Sequence, residues 1–486
     1  NHVTLLLQSF LIHGYVPTEL ITCSLKPIIK DKLGDKHSSD NYRAIGISSL
    51  ILKILDWVIL ILFEDKLKPS DLQFGFQKRN STSMCSWVVN ETINFFNNRD
   101  TPIFSCFLDL TKAFDLVTFS KLFTKLRDKI SSVFIRLLAY IYVYQSCCVE
   151  WCGIKSNSFK VSNGVRQGAV LSPMLFSLYI DDIFSELAHS GFGCYINNVF
   201  YGILGYADDL VLLSPNRFGL QSMLNLAKSL LEKLGLKISV NHVTPKKSKT
   251  KCVGFGIKQD PLPITLDGIN LPWSDSYIHL GHVLSKDGSL SADVDLKRRS
   301  FVGKFHEFRQ ELKNPYPIVF MNLILIYNSH FYGSNLWNLF AISDVYTAWN
   351  NVLRMVFNLP RRTHRYLLEP VTDFKHLFTL LTNRFLKFYS TLFLSGKNII
   401  SNLRRIQEKD CRSNFGSNIK NICRLNNTTD IQTCLKDSVR YFPINVSDSW
   451  RVNFLKELIS IKNNTYELEG FPPAEIDFLI ENLACT

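Results

Sequence analysis

The chain has 486 residues, 46% hydrophobic and 20% charged, with 55 Lys and Arg against 42 Asp and Glu and a formal charge of +13. At roughly 100–200 residues per domain this length allows two to four domains, and the composition supports a sizeable core, which excludes a low-complexity or disordered chain. The basic excess favours a polyanionic partner and the most apolar stretch, 50–63, carries Lys53 and Asp56, far from the about 20 apolar residues that span a bilayer, so no membrane partner is expected.

In chain order, the sequence begins at Asn1 without Met and lacks the basic flank and cleavage site of a signal peptide, so it reads as a fragment of a nuclear and cytoplasmic protein. Residues 31–36 are a charged loop. Residues 50–63 are apolar apart from Lys53 and Asp56, three apart on one side, and predict a largely buried helix. Residues 103–109 read as a buried strand that ends in a carboxylate. Residues 118–144 mix basic and apolar positions at helical spacing, and 148–161 read as short strands of a hairpin. Gly164 opens a loop, and Leu171 to Leu187 predicts a helix. Residues 199–213 have two apolar arms around Ala207-Asp208-Asp209, the pattern of a hairpin. Gln221 to Leu234 predicts an amphipathic helix stopped by Gly235, strands follow around 250–256 and 263–284, and from Asp293 nearly everything is helical. The order predicts an α+β core with a helical tail. Twelve cysteines, many inside apolar runs and none in a CxxC pair, point to buried thiols in a reducing compartment rather than disulfides or a zinc knuckle.

The chemistry lies in three acids. Asp109 closes one apolar strand, and Asp208 and Asp209 form the tip of a hairpin. Desolvating a carboxylate is costly and adjacent like charges raise each other's pKa, penalties that a divalent cation removes. A solvated turn rich in Asp is the plainer reading of Asp208-Asp209 taken alone. Asp181-Asp182 serves as a control, because its helical surroundings let it face water at little cost.

Tyr206-Ala207-Asp208-Asp209 with Leu210 to Leu213 resembles the metal-binding hairpin of reverse transcriptases. Phe107-Leu108-Asp109-Leu110-Thr111-Lys112-Ala113-Phe114-Asp115 looks like the first carboxylate motif of that family, in the form found in LINE-type (non-LTR) retrotransposons. Between them, Asn163 to Pro173 resembles the template- and nucleotide-positioning motif. Upstream, Pro27-Ile28-Ile29-Lys30, Asn41-Tyr42-Arg43-Ala44-Ile45 and Leu72-Gln73-Phe74-Gly75-Phe76 also fit, as do Gly235 to Ile238 and Tyr277 to Gly281 downstream.

The resemblance implies a right-hand polymerase: fingers and palm over 1–290, a helical thumb and connection over 291–400, and a region of unknown role over 401–486. It implies an RNA-directed DNA polymerase using two Mg²⁺ ions, with Mn²⁺ as a substitute, on template RNA, a DNA primer or nicked target DNA, and dNTPs. Asp109, Asp208 and Asp209 would be catalytic and, with the Leu110 carbonyl, hold metal. Lys30 and Arg43 would hold the triphosphate, Phe114 would exclude a ribose 2′-hydroxyl, and Gln167 and Gly168 would line the nucleotide pocket. Lys249 or Lys247 would serve the leaving pyrophosphate, although the stretch 242–246 departs from the usual spacing. Arg166, Tyr206, Lys297, Arg298 and Arg299 would contact nucleic acid, while Arg361-Arg362-Thr363-His364-Arg365 is a basic cluster without an assigned role. The rivals are an inactive, domesticated RNA-binding derivative and another reverse transcriptase class, such as an intron maturase or a telomerase subunit.

Overall fold

A computed structural model of the chain describes residues 2–241, 248–258, 261–311, 331–372, 374–435 and 456. The chain forms two compact units, one of Asn1–Cys85, Asp100–Asp275 and Lys397–Ile399, the other of Ser86–Arg99, Ser276–Gly396 and the described part of Ile400–Thr486.

The first unit is built on two sheets. Its main strands are β1 (Cys23–Ile29), β2 (Tyr42–Ile47), β3 (Ile103–Leu108), β4 (Ser146–Trp151), β5 (Ile203–Tyr206), β6 (Asp209–Ser214) and β7 (Lys251–Phe255). β1 pairs antiparallel with β2, setting Ile28 opposite Arg43, and parallel with β4, setting Cys23 opposite Cys147. The second sheet runs β7-β3-β6-β5, antiparallel throughout. Its central strands are nearly continuous apolar runs, because helices cover the faces of the sheet and both sides of each strand are buried.

Helix α1 (Leu50–Leu62) corrects the reading of 50–63. Asp56 is buried with Leu52, Leu55 and Ile59, whereas Leu50, Trp57, Ile61 and Leu62 are exposed. Helical period identifies faces but not which one finds partners, and Asp56 finds backbone amides (below). The segment 118–144 is two helices, Phe119–Leu126 and Ser132–Tyr144, and 171–187 is likewise divided at Ile180 into Ser172–Tyr179 and Asp181–His189. Helix α2 (Arg217–Leu234) starts before Gln221, because the Asn216 side chain accepts from the Gly219 N–H at 2.7 Å and caps it.

In the second unit the hairpin Ser276–His279 with His282–Ser285 precedes α3 (Ser291–Glu311), α4 (Ser343–Val356) and α5 (Leu377–Phe393). Buried Asp293 accepts from the Val283 N–H at 3.0 Å and from Trp337 Nε1 at 2.8 Å, tying the start of α3 to that hairpin. Trp87 and Phe415 meet edge-on with ring centroids 5.1 Å apart. Among the described residues no helix is long and apolar enough to cross a membrane. All described cysteines except Cys152 and Cys411 are buried, and no disulfide joins them.

Candidate active site

Antiparallel register brings the acids together. Leu210 of β6 stands opposite Leu108 of β3, so the next step along each strand sets Asp209 beside Asp109, and Asp209 pairs with Tyr206 across the hairpin turn. Asp109 lies just past the end of its strand. Its N–H donates to Thr250 Oγ1 at 3.2 Å and its carbonyl accepts from Ser239 N–H at 2.7 Å. Leu110, buried, forms an isolated bridge with Ile238.

The electrostatics are those of crowded like charges. Partial desolvation, reinforced by Asp208 and then Asp109, pushes the Asp209 carboxyl up to about 6. Asp208 is also raised, chiefly by burial and further by Asp109, while Arg43 partly offsets the rise. Arg43, on β2 of the neighbouring sheet, is thus near enough for its charge to act on Asp208. Among the described residues no Lys or Arg forms an ion pair with Asp208 or Asp209, whereas Lys249 Nζ stands 4.0 Å from Asp109. The control pair differs. Asp182 is paired with Lys125 at 2.8 Å, and Asp181, rather than simply facing water, accepts from the Ser70 N–H at 2.7 Å. No group of three or more His, Cys, Asp or Glu side chains among the described residues already stands as a metal cage.

The hairpin turn is held by a residue to which sequence reading gave no role. Ala207 has φ +58°, a left-handed conformation that costs a residue with a Cβ. Buried Gln73 grips it from both sides: Gln73 Oε1 accepts from the Ala207 N–H at 2.9 Å and Gln73 Nε2 donates to the Ala207 carbonyl at 3.2 Å. The same Oε1 accepts from the Gly75 N–H at 2.9 Å, and a Cβ on Gly75 would stand 2.4 Å from the Ala207 nitrogen. Phe74 N–H donates to the Gly205 carbonyl at 2.7 Å. Buried Lys397 closes this segment from behind, with Nζ donating to the carbonyls of Asp71 and Gln73, both at 3.0 Å. A Gln inside the apolar run Leu72 to Phe76 was the available signal; for Lys397 there was none.

The loop 164–171 lies against β2. A Cβ on Gly168, whose φ is +75°, would meet the Gly46 carbonyl oxygen at 1.9 Å, so only glycine allows this approach. Gln167 Nε2 donates to Asp115 Oδ1 at 3.1 Å. Asp56 Oδ2 accepts from the Val170 N–H at 2.9 Å, and Asp56 Oδ1 lies 3.9 Å from Arg166 Nη1. Arg166, expected at the nucleic acid, is therefore turned inward and buried, because an unpaired Asp56 would be costly there. Phe114 stacks on buried Phe176 with centroids 4.3 Å apart, and exposed Phe76 lies 6.5 Å from Phe114 and 6.2 Å from Tyr206. Lys30 Nζ donates to the Asp40 carbonyl at 2.8 Å.

In the second unit Lys297 Nζ donates to the Gly281 carbonyl at 2.7 Å, and Arg298 and Arg299 both pair with Asp295, at 2.6 and 2.7 Å. Lys247 and the segment 242–246 lie outside the described residues.

Residues 33–263 match the family described as reverse transcriptase (RNA-dependent DNA polymerase). The chain is 26% identical over 222 residues to the retrovirus-related Pol polyprotein from type-2 retrotransposable element R2DM of Drosophila melanogaster, covering 46% of this chain and 20% of that one. It is 25% identical over 299 residues to the corresponding polyprotein from type-1 retrotransposable element R2 of Popillia japonica, covering 59% and 41%. It is 26% identical over 314 residues to the RNA-directed DNA polymerase from mobile element jockey of Drosophila funebris, covering 62% and 33%. The chain thus spans less than half the length of each of these relatives.

Proposed function

We propose, from the match of residues 33–263 to the reverse transcriptase family, that the chain is the polymerase portion of a non-LTR retrotransposon polyprotein and makes DNA on an RNA template, its primer being a DNA end or a nicked target. The observation that carries this reading is the placement of Asp109, Asp208 and Asp209 at one end of the β3-β6-β5 sheet, with the Asp208 and Asp209 carboxyls both raised. A site of partly desolvated carboxylates, two of them without an ion-pair partner among the described residues, fits divalent cations that are completed by substrate oxygens, which is how Mg²⁺ is usually held.

Two Mg²⁺ ions, or Mn²⁺ in their place, would activate the primer 3′-hydroxyl and neutralise the triphosphate. Asp109 and Asp208 would hold both, Asp209 would orient the one at the primer, and the Leu110 carbonyl would add a ligand. Arg43, whose charge acts on Asp208, and Lys30 would hold the triphosphate. Phe114, fixed by its stack on Phe176, would be the wall against a 2′-hydroxyl, and Gln167 and Gly168 would shape the pocket. Tyr206 would face the primer, and Lys249 would stand where the leaving pyrophosphate needs a proton. Lys297, Arg298 and Arg299 would meet the backbone of the RNA–DNA hybrid by giving up their present carboxylate and carbonyl partners, an interaction weakened by salt.

The test is primer extension on an RNA template with dNTPs and Mg²⁺, comparing the chain with Asp208→Asn. Extension by the parent alone is the expected result. No extension by a folded, RNA-binding parent would sink the polymerase reading and favour an inactive RNA-binding descendant.

A further inference from the structure

The basic cluster at 361–365 borders a pocket in the second unit that the polymerase reading leaves unused. The pocket, about 320 Å³, lies between α4 and the start of α5. This is at the lower end of the range for sites that enclose a small ligand, roughly 300–1,000 Å³. Three of its walls are aromatic. Phe340 and Phe378 have centroids 5.2 Å apart, and Tyr346 lies 6.0 Å from Phe378 and 5.8 Å from the His376 ring. Its floor is buried and its rim, at Phe340, Ser343, Thr347 and Arg365, is exposed.

Most of the lining residues carry a polar group, and one of these groups is buried without a partner. Asn350 is 6% exposed, and its Oδ1 has no hydrogen-bond partner among the described residues. A buried carbonyl oxygen without a donor costs stability unless something supplies one. The charged groups lining the pocket are Arg354 and Arg365, and no Asp or Glu lines it among the described residues. Arg354 is fixed in place, because Nε and Nη2 donate to the Thr363 carbonyl at 3.1 and 2.7 Å, which ties the basic loop to the pocket wall. His376 caps α5, its Nδ1 accepting from the Phe378 N–H at 3.2 Å. Burial, with Arg365 nearby, holds the His376 ring down at about 4, so it is neutral at physiological pH.

We infer that this pocket takes one unpaired nucleotide of single-stranded RNA. The base would stack on the aromatic walls, an exocyclic amine would donate to Asn350 Oδ1, and the adjoining phosphate would sit at Arg365. Stacking tolerates any base, whereas an acceptor at the floor rewards adenine, cytosine or guanine over uracil, which carries no exocyclic amine. The cationic, carboxylate-free lining selects against a basic peptide.

The test uses the full chain with its polymerase cleft saturated by an RNA–DNA primer–template. Labelled oligo(A) and oligo(U) single strands of about 12 nucleotides are titrated by anisotropy, then photocrosslinked and the adducts mapped. Oligo(A) should bind more tightly than oligo(U) and crosslink within Ser343–Val356 or at Phe378. Thr347→Trp, which fills the exposed rim, and Arg365→Glu should each weaken oligo(A) by about fivefold or more, with hybrid binding unchanged. Unchanged oligo(A) affinity in both variants, or adducts confined to other segments, would overturn the inference. Equal affinity for the two strands would overturn the role of Asn350. Full displacement of oligo(A) by millimolar adenosine monophosphate would make a free nucleotide, not RNA, the occupant.

Discussion

The chain contains two adjacent Asp pairs in its first unit, and they have opposite fates. Asp181-Asp182 opens a helix, where the Ser70 amide hydrogen-bonds the first acid and Lys125 pairs with the second. Asp208-Asp209 occupies a two-strand turn beside Asp109, and there neither acid has an ion-pair partner among the described residues. The same dipeptide thus has a separate partner for each acid in one setting and is an unneutralised charge cluster in the other. What separates them is not burial alone, since Asp181 is also raised by burial, but the partners each fold position supplies.

The sharpest way to break this contrast is to neutralise one acid of each pair. Asp208→Asn should reduce primer extension by on the order of 10³-fold or more, the scale expected when a group acting on the transition state is lost. Asp182→Asn should leave extension within about twofold, because an exposed ion pair contributes little. Similar losses in both would mean that the hairpin pair is no more special than the helix pair.

The second prediction concerns what aims the hairpin. Gln73→Ala removes both bonds to Ala207 and leaves its left-handed turn without its clamp. A shift of about 1 Å at a reacting centre costs about 10²-fold, so kcat should fall by roughly 10- to 100-fold with the KM for dNTP little changed. The Mg²⁺ concentration needed for half-maximal extension should rise as well. A Gln73→Ala enzyme with unchanged kcat and Mg²⁺ dependence would show that the turn holds its shape alone.

These two cases also show what was legible in the sequence. The three carboxylates could be found because acids at the ends of apolar strands are conspicuous, and the α+β order of elements could be read from hydrophobic period. The supports could not. Gln73, Lys397 and Asp56 bind backbone groups far along the chain: Ala207, Asp71 with Gln73, and Val170. Backbone amides and carbonyls leave no residue signature at the partner position. Arg166 was misplaced for the same reason, since nothing local marks Asp56 as its buried partner, and the periodicity of 50–63 suggested the opposite face.

A smaller effect tests the wall beside the carboxylates. Phe114→Val keeps a side chain on buried Phe176 but removes the ring that stacks on it at 4.3 Å. Incorporation of ribonucleotides relative to deoxynucleotides should rise by about 10- to 100-fold, with deoxynucleotide addition reduced only modestly. Unchanged sugar selection would reduce Phe114 to a packing residue and shift attention to exposed Phe76, which stands against it.

The smallest effect is on stability, and it follows from the sign of the Asp209 shift. Its carboxyl is raised from 3.8 to about 6 in the folded chain, so between those values the folded state binds more protons than the unfolded state. Stability from this group is full below about 3.8 and is lost as pH rises through about 6. At pH 7.5 without divalent ions the charged Asp209 therefore works against folding, and Asp209→Asn should raise Tm there and flatten its fall between pH 4 and 7. Adding Mg²⁺ should stabilise the parent more than the variant, because the ion relieves a repulsion that the variant has already lost. Asp182→Asn, measured alongside, should show neither behaviour, since Asp182 already has Lys125. A Tm for Asp209→Asn that stays at or below the parent value in the absence of metal would mean that solvent, not a cation, already neutralises the hairpin.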